Sequence, residues 1–475
     1  MTWITATSPR RLVVTLGFIA LAVGCASAEP YAERELVELP ERFGDGGVGD
    51  ASALPDRWWT SLNDPALDAL VEEALASNLT LQTAWDRLAQ AEASARLAGV
   101  NLYPNVSAQV GAGHNFSNVP VREGSNFSLG LSASYEVDLW GRIGSAREAA
   151  ALDALATERS LQAAAISLSA EVATAWYSLV EARGQLALLD RQQETNQQVL
   201  DLVTLRLTRG QASSGEVFQQ RRQMESVRGN QAQLRAQIEV LEHRLAILLG
   251  RPPTADVAAP VEALIELPAL PSAGVPAELV QRRPDVQSAF LRVKAADQRV
   301  ASAVAAQFPR LSLSASANTN AVKPQELFDN WLINLAGNLA VPLFNAGQLK
   351  IEVERAEANA SESLHAYGQA VLTALGEVED ALAQERRQRE LIVSLEEQLT
   401  LAQAALDRAR LDYLNGASSY IGVLDFLRTV QTLERNRLDA QQLLIQYRIN
   451  LCRALGGGWE MTRRDNDDGE GEGER

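Results

Sequence analysis

The side chains here that could bind a metal, attack a carbonyl or carry a proton are three histidines, two cysteines and sixty carboxylates. Their spacing excludes most of that chemistry. His114, His243 and His365 stand more than a hundred residues apart, with no metal-ligand spacing and no nucleophile motif around them. No catalysis, metal or dissociable cofactor is therefore expected. Cys452, among Ile449, Leu451 and Leu455, reads as a small buried hydrophobe. Cys25 follows the apolar run Leu12 to Gly24 and is a candidate for covalent modification. What remains is fixed charge. Asp425, set between the apolar Val423 and Phe426, becomes important if symmetry multiplies it into an acidic ring of the kind that selects cations.

Bulk charge narrows the partners. The net charge of −17 carries no basic stripe, so no nucleic-acid partner is expected. The N-terminus reads as a secretory signal: Arg10 and Arg11 precede an apolar run too short to span a bilayer. Leu21-Ala22-Val23-Gly24-Cys25 resembles a bacterial lipobox, which implies a lipid on Cys25 as the first mature residue, although its Leu lies one place farther from the Cys than is usual. The alternative is an ordinary signal that happens to contain a cysteine. Losing residues 1–24 with their two arginines takes the charge from −17 to −19 and leaves no intramolecular disulfide framework. No internal run of 18 or more apolar residues exists, so no transmembrane helix is expected.

The elements that position these residues come twice. Val217, Gln220, Met224, Val227, Gln231, Leu234, Ile238 and Leu241 step by three and four, as do Val423, Phe426, Val430, Leu433, Arg437, Ala440, Leu444 and Tyr447 at an offset of 206. A repeat of this size sets the architecture. The chain divides into a signal (1–24), an irregular segment (25–62), a first repeat (63–250), a Pro-rich connection (251–276), a second repeat (277–456) and an acidic tail (457–475) that reads as disordered.

Strands are expected at about 105–114, 126–139, 310–320 and 331–341. Phe127, Leu129, Leu131, Ala133, Tyr135, Val137 and Leu139 fall on one face, with Ser128, Gly130, Ser132, Ser134, Glu136 and Asp138 on the other. Each strand is long enough to cross a bilayer at a tilt. The alternative, a half-buried sheet, has no obvious core to lie on. Four strands cannot close, and an open edge cannot exist in lipid, so several chains must pool their strands. Two copies would give a filled eight-stranded barrel and three a twelve-stranded passage. Trp140 and Trp331 at strand ends would mark an interfacial belt or serve as caps.

Helical hairpins are expected over 143–249 and 346–455, with first arms spanning on the order of 100 Å. Leu168, Val172, Ala175, Leu179, Ala182, Leu186 and Leu189 step by four and three, and Ile392 to Tyr413 do the same, which means supercoiled packing. Gln193, Asn196, Glu385 and Arg389 on these seams suit hydrated or register-setting layers. Gly210 and Gly416 suit left-handed helix stops, and Ser213-Ser214-Gly215-Glu216 is a capping box.

The duplicated plan, with Leu248-Leu249-Gly250-Arg251-Pro252-Pro253, Gln281-Arg282-Arg283-Pro284-Asp285-Val286, Tyr135-Glu136-Val137-Asp138-Leu139-Trp140-Gly141 and Val341-Pro342-Leu343-Phe344-Asn345-Ala346-Gly347, resembles the TolC-like outer-membrane factors, specifically the OprM/NodT-type efflux lipoproteins. The resemblance covers Trp58-Trp59 to Gly456. It implies a mixed α/β membrane fold of four transmembrane strands and four coiled-coil helices per chain, with an equatorial region. A homotrimer would form a twelve-stranded β-barrel in the outer membrane above an α-helical barrel in the periplasm. It further implies a periplasmic adaptor, an inner-membrane pump of RND type and a passive conduit for small toxic compounds. In the family, a Tyr before the last turn and an Asp after it help to close the periplasmic end. Tyr413 and Asp425 match those positions, while Ser418 and Gly422 depart from the family's Arg and second acid. The tips around Arg209-Gly210 and Asn415-Gly416 would dock the adaptor, or are helix stops alone. A one-step protein-secretion channel and a lipid-anchored coiled-coil scaffold are the competing readings. The alternating strands argue against the scaffold.

Overall fold

The computed structural model describes residues 30–34, 36–44, 55–116, 124–254, 263–271, 273–456, 459 and 461. Cys25, the signal segment and the acidic tail from Asp465 lie outside them. The described part of the segment at 25–62 contains two short 3-10 turns, Tyr31–Glu33 and Trp58–Leu62.

In chain order the elements are α1 (Pro65–Ser77), α2 (Leu79–Val100), β1 (Asn105–Asn115), β2 (Gly124–Val137), α3 (Arg142–Thr208), α4 (Ser214–Leu248), α5 (Pro276–Arg282), α6 (Pro284–Ala305), β3 (Arg310–Ala321), β4 (Leu332–Ala340), α7 (Gln348–Leu414) and α8 (Tyr420–Leu455). The long helices α3 and α7 are each 67 residues, and both their ends are offset by 206. The second repeat begins one residue before its expected start, because Pro276 opens α5.

The strands form one antiparallel sheet in the order β1-β2-β3-β4. Its register keeps the two faces separate. Leu129 pairs with Thr319, Leu131 with Ala317 and Tyr135 with Leu313, while Val110 pairs with Leu129 and Ala317 with Ile333. Ser132 meets Ser107 on one side and Ser316 on the other, the first pair joined by a 2.8 Å hydroxyl bond. One-residue slippage anywhere would mix the faces. On the polar face a Cβ at Gly111 would come within 2.6 Å of Ser128 Oγ, and one at Gly130 within 2.6 Å of Asn318 Oδ1. Glycine makes room there for the polar side chains of the next strand. On the edge strands the apolar face is open, with Val110 and Leu335 each 80% exposed, while the inner-strand Leu129, Tyr135 and Ala317 are half-buried. β1 and β4 are the two open edges.

Both strand-to-helix joints use a left-handed glycine, Gly141 at φ 75° and Gly347 at φ 82°. At the first, Asp138 accepts from the amides of Ile143 (3.1 Å) and Gly144 (2.7 Å) and caps α3, while Arg142 pairs with Glu136. The Trp140 indole donates to the Pro309 carbonyl at 2.8 Å and stacks on Phe308, so this Trp caps and packs, and it ties the two repeats together at the foot of the sheet.

The apolar core sits at mid-height, where Trp58, Trp59, Leu67, Val172, Trp176, Leu179, Val378 and Ile449 are buried together. Leu248 and Leu249 close it: their carbonyls accept from Asn78 Nδ2 and Ser77 Oγ, and Arg251 grips Glu73. Gly250 is required at φ 72°, since a Cβ would lie 2.5 Å from the Ser77 carbonyl. Arg283 is buried, pairs with Asp285 and Glu377, and donates to the Ala454 carbonyl. The Pro-rich connection is held by Arg448, which donates to the carbonyls of Pro268 and Ala269.

Two expectations are refined. One helix does contain a stretch apolar enough to span a bilayer: α3 has an 18-residue window of mean hydropathy 1.2, 67% buried in the fold. Scattered hydroxyl residues interrupt an apolar run without lowering its average much, and this stretch packs on other helices. Of the four polar seam residues two are buried, whereas Gln193 is half-buried and Arg389 exposed. Asn196 is 0% and Glu385 1% exposed. Glu385 meets Arg448 through bonds of 2.6 and 3.0 Å and also accepts from Arg389.

Candidate functional site

The free ends of the two hairpins carry the residues singled out for gating and docking. α3 and α7 stop in matched turns. Gly210 (φ 70°) follows Arg209, with the Gln211 amide returning to the Arg206 carbonyl at 2.8 Å. Gly416 (φ 76°) follows Asn415, with Ala417 returning to Asp412 at 2.8 Å. Both glycines are exposed, so they act as stops in a surface the solvent reaches. Ser213 caps α4 through the Glu216 amide, 3.3 Å away.

Tyr413 lies in the last turn of α7 and is buried. Its hydroxyl donates to Glu216 Oε2 at 2.8 Å, which bridges the second hairpin to the first. The Arg206 guanidinium sits 4.5 Å over its ring and donates to the Leu414 carbonyl at 3.5 Å. Burial first, and then the bond to Glu216, push the Tyr413 hydroxyl up to about 12. It therefore remains a proton donor through the physiological range.

One layer inward, Tyr420 donates to Gln220 Oε1 at 2.5 Å, and Gln220 Nε2 donates to the carbonyl of Asn196 at 2.7 Å and to its Oδ1 at 3.2 Å. All three are buried, and they join α8, α4 and α3. Asp425 does not belong to this network. It is exposed on α8, and its backbone carbonyl accepts from Thr429 Oγ1 at 3.0 Å.

Tyr413 is thus both a seam packer and a cross-hairpin donor. Glu216, Gln220 and Asn196 were not expected as its companions. The available signal was the broken repeat, since Glu216 stands where the second hairpin has Gly422. Among the described residues no group of histidine, cysteine and carboxylate side chains could hold a metal.

A sheet with one continuous apolar face and two unpaired edges, standing on helices of ~100 Å, defines a membrane channel subunit. Comparison with known sequences agrees: the family described as "Outer membrane efflux protein" matches residues 70–251 and 275–457, one match for each repeat, and the chain belongs to that family. Its members are outer-membrane channels and not enzymes. The chain is 33% identical over 436 residues to the pyoverdine export outer membrane protein OpmQ of Pseudomonas aeruginosa, covering 89% of this chain and 91% of OpmQ. It is 30% identical over 456 residues to the cation efflux system protein CusC of Escherichia coli (strain CFT073), covering 93% and 98%. A crystal structure of CusC superposes with a TM-score of 0.81 at 28% identity, covering 90% of this chain and 98% of that one.

Proposed function

We propose that this chain is one third of a passive efflux conduit that carries small toxic compounds across the outer membrane. Three copies pool their sheets into a twelve-stranded barrel and their hairpins into a periplasmic tube. An RND-type inner-membrane pump feeds the tube through a periplasmic adaptor docked at the tips around Arg209-Gly210 and Asn415-Gly416, and a lipid on Cys25 anchors each chain. The observation that carries the reading is the sheet: its edges at β1 and β4 have no partner among the described residues, and its apolar face is widely exposed along both edge strands. Only pairing with further copies satisfies those edges in lipid.

The tip supplies the gate. The Tyr413–Glu216 bond holds the two hairpins of one chain together. Three exposed Asp425 carboxylates add a ring that favours cations at the mouth. The test is conductance of the purified protein in a planar bilayer, with an unboiled gel to report assembly. The expected result is a heat-sensitive trimer of low conductance that Tyr413→Phe opens. A monomer, or a Tyr413→Phe channel as closed as the parent, overturns the proposal. Asp425→Ala should lower cation preference without opening the tip.

A further inference from the structure

The internal repeat can be carried past the two open edges of the sheet. Adding 205 to a residue of β1 and 206 to its partner in β2 reproduces every β3–β4 pair. Val106↔Ala133 becomes Leu311↔Leu339, and Gln109↔Gly130 becomes Ser314↔Ala336. The helices obey the same two offsets. α2 carries Gln82-Thr83-Ala84-Trp85 and Arg87 where α6, 205 residues later, carries Gln287-Ser288-Ala289-Phe290 and Arg292, and α3 maps onto α7 at 206. Inside the chain the repeats join where β2 meets β3 and α3 meets α6. The image of that seam on the outer surface sets β4 and α7 against β1 and α2.

The inner seam shows what its image lacks. Ser302 Oγ of α6 donates to the Arg142 carbonyl of α3 (2.9 Å), Ser288 Oγ to the Ala156 carbonyl (2.7 Å) and Arg292 Nη2 to Ser160 Oγ (3.3 Å), while Arg299 pairs with Asp153. Along this face Ala149 and Ala156 of α3 and Ser288 and Ala295 of α6 are buried. On the outer surface the same face of α2 is Thr83, Arg87, Gln90, Ser94 and Leu97, all exposed. The same face of α7 is Arg355, Asn359, Glu362 and Ala366, also all exposed. A cleft of about 480 Å³ lies between α6 and α7 where Asn359 and Glu362 come to the surface.

We propose that β4 and α7 of one copy receive β1 and α2 of a second copy of this chain in the register that the two offsets impose on the inner seam. This rests on the reading that copies pool their strands, and it fixes which residues meet. Ala133 opposite Ala315 becomes Leu339 opposite the partner's Val110, and Ser132 opposite Ser316 becomes Asn338 opposite the partner's Gly111. The apolar and polar faces run on across the joint, and Asn338 meets a glycine as Asn318 meets Gly130. In the helices Ser288 lies level with Ser160, their hydroxyls 2.9 Å apart, so on these antiparallel elements Arg292 lies level with Ala156. The image sets Glu362 level with the partner's Arg87. The two charges are opposite, and neither residue has an ion-pair or hydrogen-bond partner among the described residues. The inner clamps do not recur, since Trp140 has the image Ala346 and Asp153–Arg299 the image Asn359–Ser94. Strand pairing and the contact of Glu362 with the partner's Arg87 hold the joint instead.

The test uses the full-length protein in outer-membrane vesicles. Directly paired strand residues have Cα atoms about 5 Å apart and can be bridged by a disulfide, whereas a separation beyond about 7 Å cannot. Val110→Cys with Leu339→Cys should therefore oxidise to linked dimers and trimers that survive boiling. Val110→Cys with Leu335→Cys, displaced roughly 13 Å along β4, should link at least about tenfold less. Each single variant serves as control. Linking that favours Leu335→Cys, or none in either pair, overturns the register. Glu362→Arg and Arg87→Glu should each lower the temperature at which the unboiled trimer dissociates, and the two together should restore it. A double variant no better than the single ones overturns the helical half of the joint. A parent that runs as an unboiled trimer without the expected link removes this register and leaves pooled strands standing. A parent that runs as an unboiled monomer removes both.

Discussion

The two helical hairpins have the same length, the same stops and the same offset, yet they are held together differently. Below mid-height the second is dry: Leu399, Ala402, Leu406 and Ala409 of α7 pack on Val423, Leu424, Leu427 and Val430 of α8. The first places Val203, Val217, Met224 and Val227 among buried Gln192, Asn196, Gln220 and Gln231. Apolar packing loses free energy in proportion to the area parted, whereas amide contacts find an equivalent in water. The second hairpin is therefore built to move as one body. The first mixes apolar and amide layers, and its Val203 and Val217 join the apolar cluster of the second.

Substitutions can break or sharpen that contrast, beginning with the largest effect. Glu385→Ala strands Arg448 inside the second hairpin and should cost about 3–5 kcal/mol, read by denaturant unfolding in detergent. A loss under about 1 kcal/mol would mean that water reaches this layer. Leu406→Ala, in the dry seam, should cost about 2–5 kcal/mol in the same assay. Gln220→Ala, in the first hairpin, should cost about 1–3 kcal/mol, because it orphans both Tyr420 and Asn196. If it proves costlier than Leu406→Ala, the proposed contrast is reversed. Ser213→Ala removes one cap and should cost about 1 kcal/mol, seen as faster amide exchange in the first turn of α4.

Local pattern made most of this architecture readable. Heptad spacing located α3 and α7 to within two residues at each end, because each turn of a long helix repeats the same signal. Alternation located the strands with similar error, β2 starting and stopping about two residues early because Asp138 and Trp140 serve the next helix instead. Contacts between repeats left no such trace. Tyr413 meets Glu216 across 197 residues, and Trp140 reaches Pro309 across 169. Nothing periodic joins those positions, and a carboxylate that completes a capping box looks fully explained before its second partner is known. The same limit applies to Glu385. A charged residue on a seam looks hydrated until Arg448, 63 positions away, is placed beside it.

The joints at Gly141 and Gly347 fix one end of each long helix, and the tryptophan-rich core grips it again near Trp176. The 32 residues of α3 beyond Trp176 form a cantilever of roughly 50 Å. Tilting it by about 5° at the clamp carries its end through about 4 Å, more than the reach of a hydrogen bond. Leverage of this kind means the strands can stay still while the far end opens.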